Sequence, residues 1–395
     1  MGKLDINYPI FSEDFKGKIS FVGPMAIYCF LKMNGLSCVF VLAIPISLLF
    51  LTDWLSSIIS STNYQSGILF GYGFWWIYII FFVIGFSIAF RIDSKIFYRK
   101  RKFNKEGDKE LLGDVEITHR FIRAKLIKWH YIETGPQDAE TLIFLHGLPE
   151  SWWCWNNQIR DLAKDFHIYA FDLKGYGQSD KKIGDYRWEG VMEEFVAVLD
   201  KLEIEKANFV CHDRGSVLVD FLGGTHPERV LRFVRGQQVL HKWTILRSPQ
   251  ENMFIRPIIG TLACGLPRIT IPGAFARWYS YTRNKIPRKE IKRAIFEYSY
   301  PKIRWAVPRY FRSNGFAKEI AFRKKYLLKN MTFPVLLLEA GLDPFQPSYY
   351  FKGYDEFFHN AQLKFLKGAG HFWTLEKPKE VTQIIKDFLR DMKVK

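Results

Sequence analysis

One segment, NFVCHDRGSVLVDFL (208–222), constrains this chain more than any other. A compact apolar run ends at Asp213, and Gly215 stands two positions later, just before an amphipathic stretch. A strand, a sharp turn and a helix in so few residues lift one side chain, at the apex, above the end of a sheet. Cys211 and Gly215 flank the apex with side chains small enough for a tight turn. The apex residue here is a carboxylate. Such a group attacks an electrophilic carbon directly and forms an ester with it.

A turn of this kind needs a parallel sheet around it, and the later part of the chain carries that pattern. Thr141 to Leu145, His167 to Phe171 and Asn208 to Cys211 are short apolar runs suited to burial on both faces. Arg232 to Leu240, Val335 to Ala340 and Gln362 to Leu366 continue the series, and Val115 to Glu133 reads as a hairpin. Helical patterns fall between them, as at Trp188 to Leu202 and Glu380 to Met392. Strands alternating with helices predict a mostly parallel sheet covered on both sides, formed by residues 114–240 and 327–395. Residues 241–326 lack strand signals and read as a helical cap over the carboxyl ends of the strands, where such sheets bind ligands.

Two more residues stand where chemistry at Asp213 needs them. Asp343 follows the strand PVLLLEAGLD and His371 follows QLKFLKGAGH, in the chain order nucleophile, acid, histidine. His371 is expected to activate water against the ester, and Asp343 to orient the imidazole and stabilise its protonated form. Upstream, HGLPESWWCW follows the strand TLIFL. The backbone N–H groups of Leu148 and Arg214 are the expected oxyanion hole. No metal or cofactor motif accompanies these residues, and the five scattered cysteines have no CxxC spacing and read as reduced thiols.

The first third has a different character. Residues 33–51 and 67–90 are two runs without charge, each near the roughly 20 residues that cross a bilayer as a helix. Basic residues precede the first run (within 1–32) and follow the second, while the connecting loop has none. That asymmetry predicts a two-pass hairpin over 33–96 with both ends, and the catalytic domain, in the cytoplasm. Residues 97–113 read as a basic linker. The cap is also basic, with 19 Lys and Arg against four acids between His241 and Tyr326. Beside a membrane anchor this charge suggests contact with anionic lipid headgroups, and no motif points to nucleic acid.

The segments HGLPESWWCW, FDLKGYGQSD, CHDRGSVLVDFLGGTHPERV, LLLEAGLDPF and GAGHFWTLEKP resemble the epoxide hydrolase and haloalkane dehalogenase group of α/β-hydrolases. The resemblance runs from about 115 to 392 and is weakest in the cap. It implies an eight-stranded sheet, a helical cap, and Asp213, Asp343 and His371 as the triad. HGLPE is closer to the epoxide hydrolases, since many dehalogenases have Asn where this chain has Leu148. Epoxide hydrolases usually place two cap tyrosines over the nucleophile. By that spacing the first position falls at about Gly260, and Phe311 stands at the second, with Tyr310 beside it. Tyr310, Trp153 and Arg214 are therefore the candidate substrate contacts, Arg214 through its fixed fork of donors. Three functions remain open at this point: an epoxide hydrolase acting on a lipophilic substrate, a dehalogenase or other hydrolase gripping an anionic substrate through Arg214, or a membrane-tethered ligand-binding protein without turnover.

Overall fold

The structure, a computed structural model, describes residues 103–182, 184–238, 286–343 and 346–391, with scattered positions between 254 and 275. The expected hairpin at 33–51 and 67–90 lies outside the described residues. Among the described residues no helix is long and apolar enough to cross a membrane.

The strands are β1 (Lys109–Leu112), β2 (Val115–Ala124), β3 (Ile127–Thr134), β4 (Thr141–Leu145), β5 (His167–Asp172), β6 (Ala207–His212), β7 (Val230–Gly236), β8 (Val335–Ala340) and β9 (Ala361–Leu366). They form one sheet in the order β1-β2-β3-β5-β4-β6-β7-β8-β9. β1 to β3 are antiparallel and pair on to β5, and from β5 onward every pairing is parallel. The implied eight strands are thus nine. The additional one, β1, falls in what the sequence suggested was a linker. Its burial alternates weakly and only Leu112 is fully enclosed, so an edge strand in a charged stretch leaves little apolar signal.

The central strands show why the apolar runs were legible: β5, β6 and β8 are buried along their whole length. Residues covered on both faces must be apolar throughout, and each large one contributes about 1.5–3 kcal/mol of burial. Helices α1 (Asn156–Leu162), α2 (Trp188–Lys201), α3 (Arg214–Thr225) and α7 (Pro378–Asp391) cover the sheet. In the cap the described helices are α4 (Arg288–Tyr298), α5 (Ile303–Asn314) and α6 (Phe316–Tyr326). The basic residues of α4 to α6 mostly face solvent, while Ala294, Tyr298, Ala306, Tyr310 and Phe311 turn into the main core.

Candidate active site

The parallel part of the sheet brings its strand ends to one side, and the chemistry-bearing residues follow those ends. His146 to Leu148 come after β4, Tyr176 after β5, Asp213 after β6, Gln237 and Gln238 after β7, Asp343 after β8 and His371 after β9.

Asp213 stands between β6 and α3 with φ +46° and ψ −113°. For a residue with a β-carbon this backbone is strained by about 1–3 kcal/mol, and it persists because the surroundings determine it. Its own N–H donates to the carbonyl of Gly236 at 2.9 Å. Gly215 lies so close to β4 that a β-carbon there would meet the Leu145 carbonyl oxygen at 2.5 Å. Gly147 faces Asp213 in the same way, at 2.5 Å from its Cβ. These two glycines let the turn close on the neighbouring strand.

The backbone N–H of Leu148 donates to Asp213 Oδ2 at 3.0 Å, so half of the expected oxyanion hole lies on the Asp213 carboxylate. His146 fixes this turn. Its Nε2 accepts from the N–H of Leu173 at 3.0 Å, which makes Nδ1 the protonated nitrogen, donating to the Gly147 carbonyl at 2.8 Å. Burial foremost lowers the imidazole's proton affinity and keeps this tautomer neutral.

His371 Nδ1 is 2.7 Å from Asp343 Oδ2. Burial opposes charge on the imidazole, but the charge and hydrogen bond of Asp343, joined by the charge of Asp213, outweigh it and raise its pKa to about 9. Asp343 is itself held by Gln237, whose Nε2 donates to Oδ2 at 2.6 Å, and by the N–H of Gln346 at 3.2 Å. Gln237 Oε1 accepts from the N–H of Ala340 at 2.6 Å, and Gln238 Nε2 donates to the Asp213 carbonyl at 3.2 Å. A second histidine, His212, bridges Glu150 Oε2 and the carbonyl of His371, each at 2.8 Å. Sequence reasoning missed Gln237, Gln238, His212 and Glu150. For His212, Gln237 and Gln238 the signal available was position: polar residues directly at the ends of apolar strands, where a buried polar group needs a partner.

The three expected substrate contacts are placed differently. Arg214 points into the protein, where its Nη1 donates to both oxygens of Glu319 at 2.9 and 3.1 Å. Its guanidinium also lies 4.6 Å from the ring centre of Phe311 and 5.1 Å from that of Phe316. Of the fork expected to grip an anionic substrate, Nη1 is thus already paired with a cap carboxylate. The pair continues inward through Arg323, Asp220 and Arg235, all fully buried. Tyr310 donates its hydroxyl to the Lys174 carbonyl at 2.8 Å, and Trp153 its indole N–H to Glu290 at 2.8 Å. Both side chains tie the cap to the core, because polar groups on its enclosed face need partners there. A side chain at Gly260 would meet the Phe254 carbonyl at 2.5 Å, so this position excludes a tyrosine in the present backbone.

Comparison with known proteins shows the same fold. The alpha/beta hydrolase fold family matches residues 140–250. Human "Epoxide hydrolase 4" is 27% identical over 164 residues, 40% of this chain and 42% of that protein. The chain thus matches less than half of that relative's length. Among solved structures, "Epoxide hydrolase CorEH without ligand" superposes with a TM-score of 0.61 at 19% identity, over 70% of this chain and all of that one. A haloalkane dehalogenase loop variant, DbeA-M1 from Bradyrhizobium elkanii, gives 0.58 at 21%, over 70% and 97%.

Proposed function

We propose, from its place in the epoxide hydrolase and haloalkane dehalogenase group of α/β-hydrolases, that this chain is an enzyme that opens epoxides through an ester on Asp213. The observation that carries the reading is the Leu148 amide on the Asp213 carboxylate, at the same sheet end as the His371–Asp343 pair.

Asp213 attacks an epoxide carbon, the ring C–O bond breaks, and its electron pair stays on the oxygen. Ester formation removes the charge of Asp213 and with it part of what raised His371. The resting imidazolium is then the store of the proton that the new hydroxyl takes up. Neutral His371 next draws a proton from water, and the resulting hydroxide attacks the ester carbonyl while Leu148 N–H holds the oxyanion. Collapse releases a diol and restores the carboxylate and the imidazolium. Phe372 lies 5.0 Å from the His371 ring and Phe275 lies 4.4 Å from Phe372, aromatic surroundings that favour a lipophilic substrate.

The same reading places the protein at a membrane. The uncharged runs 33–51 and 67–90 anchor it as a two-pass hairpin with the catalytic domain in the cytoplasm, and the basic cap meets anionic headgroups. Nucleic acid is not an expected partner.

The test uses full-length His371→Gln protein, in which the second step is blocked, incubated with lipophilic epoxides and separately with haloalkanes. Peptide mass spectrometry is expected to find an ester on Asp213 from epoxides. An ester from haloalkanes alone, or none from either, overturns the epoxide reading. Release of the full-length chain into the supernatant on alkaline carbonate extraction overturns the anchor.

A further inference from the structure

An epoxide oxygen gains charge as its ring opens and needs a hydrogen-bond donor placed for that moment. The described cap phenols nearest the site have other partners: Tyr310 donates to the Lys174 carbonyl, and Tyr298 is hydrogen-bonded to the Cys264 thiol. One phenol of the core is different. Tyr176, on the turn after β5, is fully buried, and its hydroxyl has no hydrogen-bond partner among the described residues.

Leaving a buried hydroxyl unpaired costs about 1–3 kcal/mol, so its surroundings matter. The Tyr176 ring meets His146 edge-on at 5.1 Å, and His146 holds the peptide that precedes the Leu148 amide. From the cap, Tyr298 and Tyr310 approach the same ring at 6.3 and 6.1 Å. Tyr176 therefore lies between the nucleophile's turn and the cap. Burial foremost pushes its phenol well above the ordinary range, the Asp213 carboxylate adding to this and Arg214 opposing it. It thus stays protonated, as a donor must.

We propose that Tyr176 is the donor to the epoxide oxygen, an assignment that rests on the Asp213 ester reading. The hydroxyl donates a hydrogen bond as Asp213 forms its bond to carbon and the ring C–O bond breaks. Tyr176 keeps its own proton, and the alkoxide is neutralised by the proton that His371 carries or, in His371→Gln, by a proton from water. A core turn, not the cap alone, then supplies the oxygen's partner.

The experiment compares full-length His371→Gln with the double variant Tyr176→Phe/His371→Gln, each mixed with styrene oxide, and follows ester formation on Asp213 in a single turnover. Removing one preorganised donor is expected to slow esterification roughly 100-fold. Removing an unpartnered hydroxyl is expected to leave the melting temperature unchanged or higher, whereas a purely structural hydroxyl lowers it. Equal esterification rates in the two proteins overturn the assignment and leave the ester reading standing. Absence of ester in His371→Gln alone overturns both. Should the phenylalanine variant fail to fold, 3-fluorotyrosine at 176 keeps the ring while strengthening the donor. A changed esterification rate then supports the assignment and an unchanged one overturns it.

Discussion

Two buried histidine–aspartate pairs stand in this sheet with the same geometry. His371 and Asp343 meet at 2.7 Å through Nδ1 and Oδ2, and so do His130 on β3 and Asp172 at the end of β5. Burial works against the charged imidazole in both. At His371 the added charges are negative, from Asp213 and Glu150, and its pKa rises to about 9. At His130 the additional neighbours are His119 and Lys181, and its pKa falls. The hydrogen bond alone does not decide the protonation state: burial prevails at His130, whereas at His371 the surrounding negative charges outweigh it. One pair is charged beside Asp213. The other is a neutral histidine in a structural network that includes the N–H groups of Trp152 and Gln178 on Asp172.

The difference is broken most directly by removing each carboxylate. Asp343→Asn is expected to lower turnover on the order of 10⁴-fold, because the imidazole loses its orienting anion. Asp172→Asn is expected to leave turnover per folded molecule nearly intact and to lower stability by about 3 kcal/mol through its lost charged hydrogen bonds. Steady-state kinetics with a styrene oxide substrate and urea unfolding read the two effects. Equal losses of turnover would erase the distinction.

Stability against pH sharpens it next. His371 is raised above its unfolded value of 6.5, so its contribution is full below about 6.5 and is lost as pH rises through about 9. At most this is about 3 kcal/mol. His130 is lowered, so its pair favours the fold above about 6.5 and loses that contribution as pH falls. Melting curves from pH 5 to 10 are expected to show alkaline loss that His371→Gln lacks and acid loss that it keeps. An unchanged alkaline limb in His371→Gln would refute the assignment.

Smaller effects come from the groups around each pair. Gln237→Leu removes the amide that holds Asp343, and a loss of roughly tenfold in turnover is expected, corresponding to about 1.4 kcal/mol. His119→Gln removes the imidazole beside His130, whose ring nitrogen is 3.0 Å away. The acid-side midpoint is expected to shift by under about one pH unit, with turnover unchanged. A loss of turnover in that variant would link the two pairs functionally.

The sequence carried the apolar strands from β2 onward, the elbow at Asp213, and the strand-end positions of Asp343, His371 and Leu148. Those features are local: apolar runs of strand length, and short turns immediately after them. It determined equally that residues 241–326 contain no strand pattern and carry a basic excess. Tertiary structure alone decided where the longer side chains go. Arg214 is adjacent to Asp213 in sequence, but Glu319, over a hundred positions away, turns its guanidinium inward. Tyr310 and Trp153 likewise find their partners on distant elements. The two histidine–aspartate pairs differ for the same reason. Periodicity records which faces are buried, whereas a buried polar group's partner, and so its charge, is set by residues that only folding brings within a few ångströms.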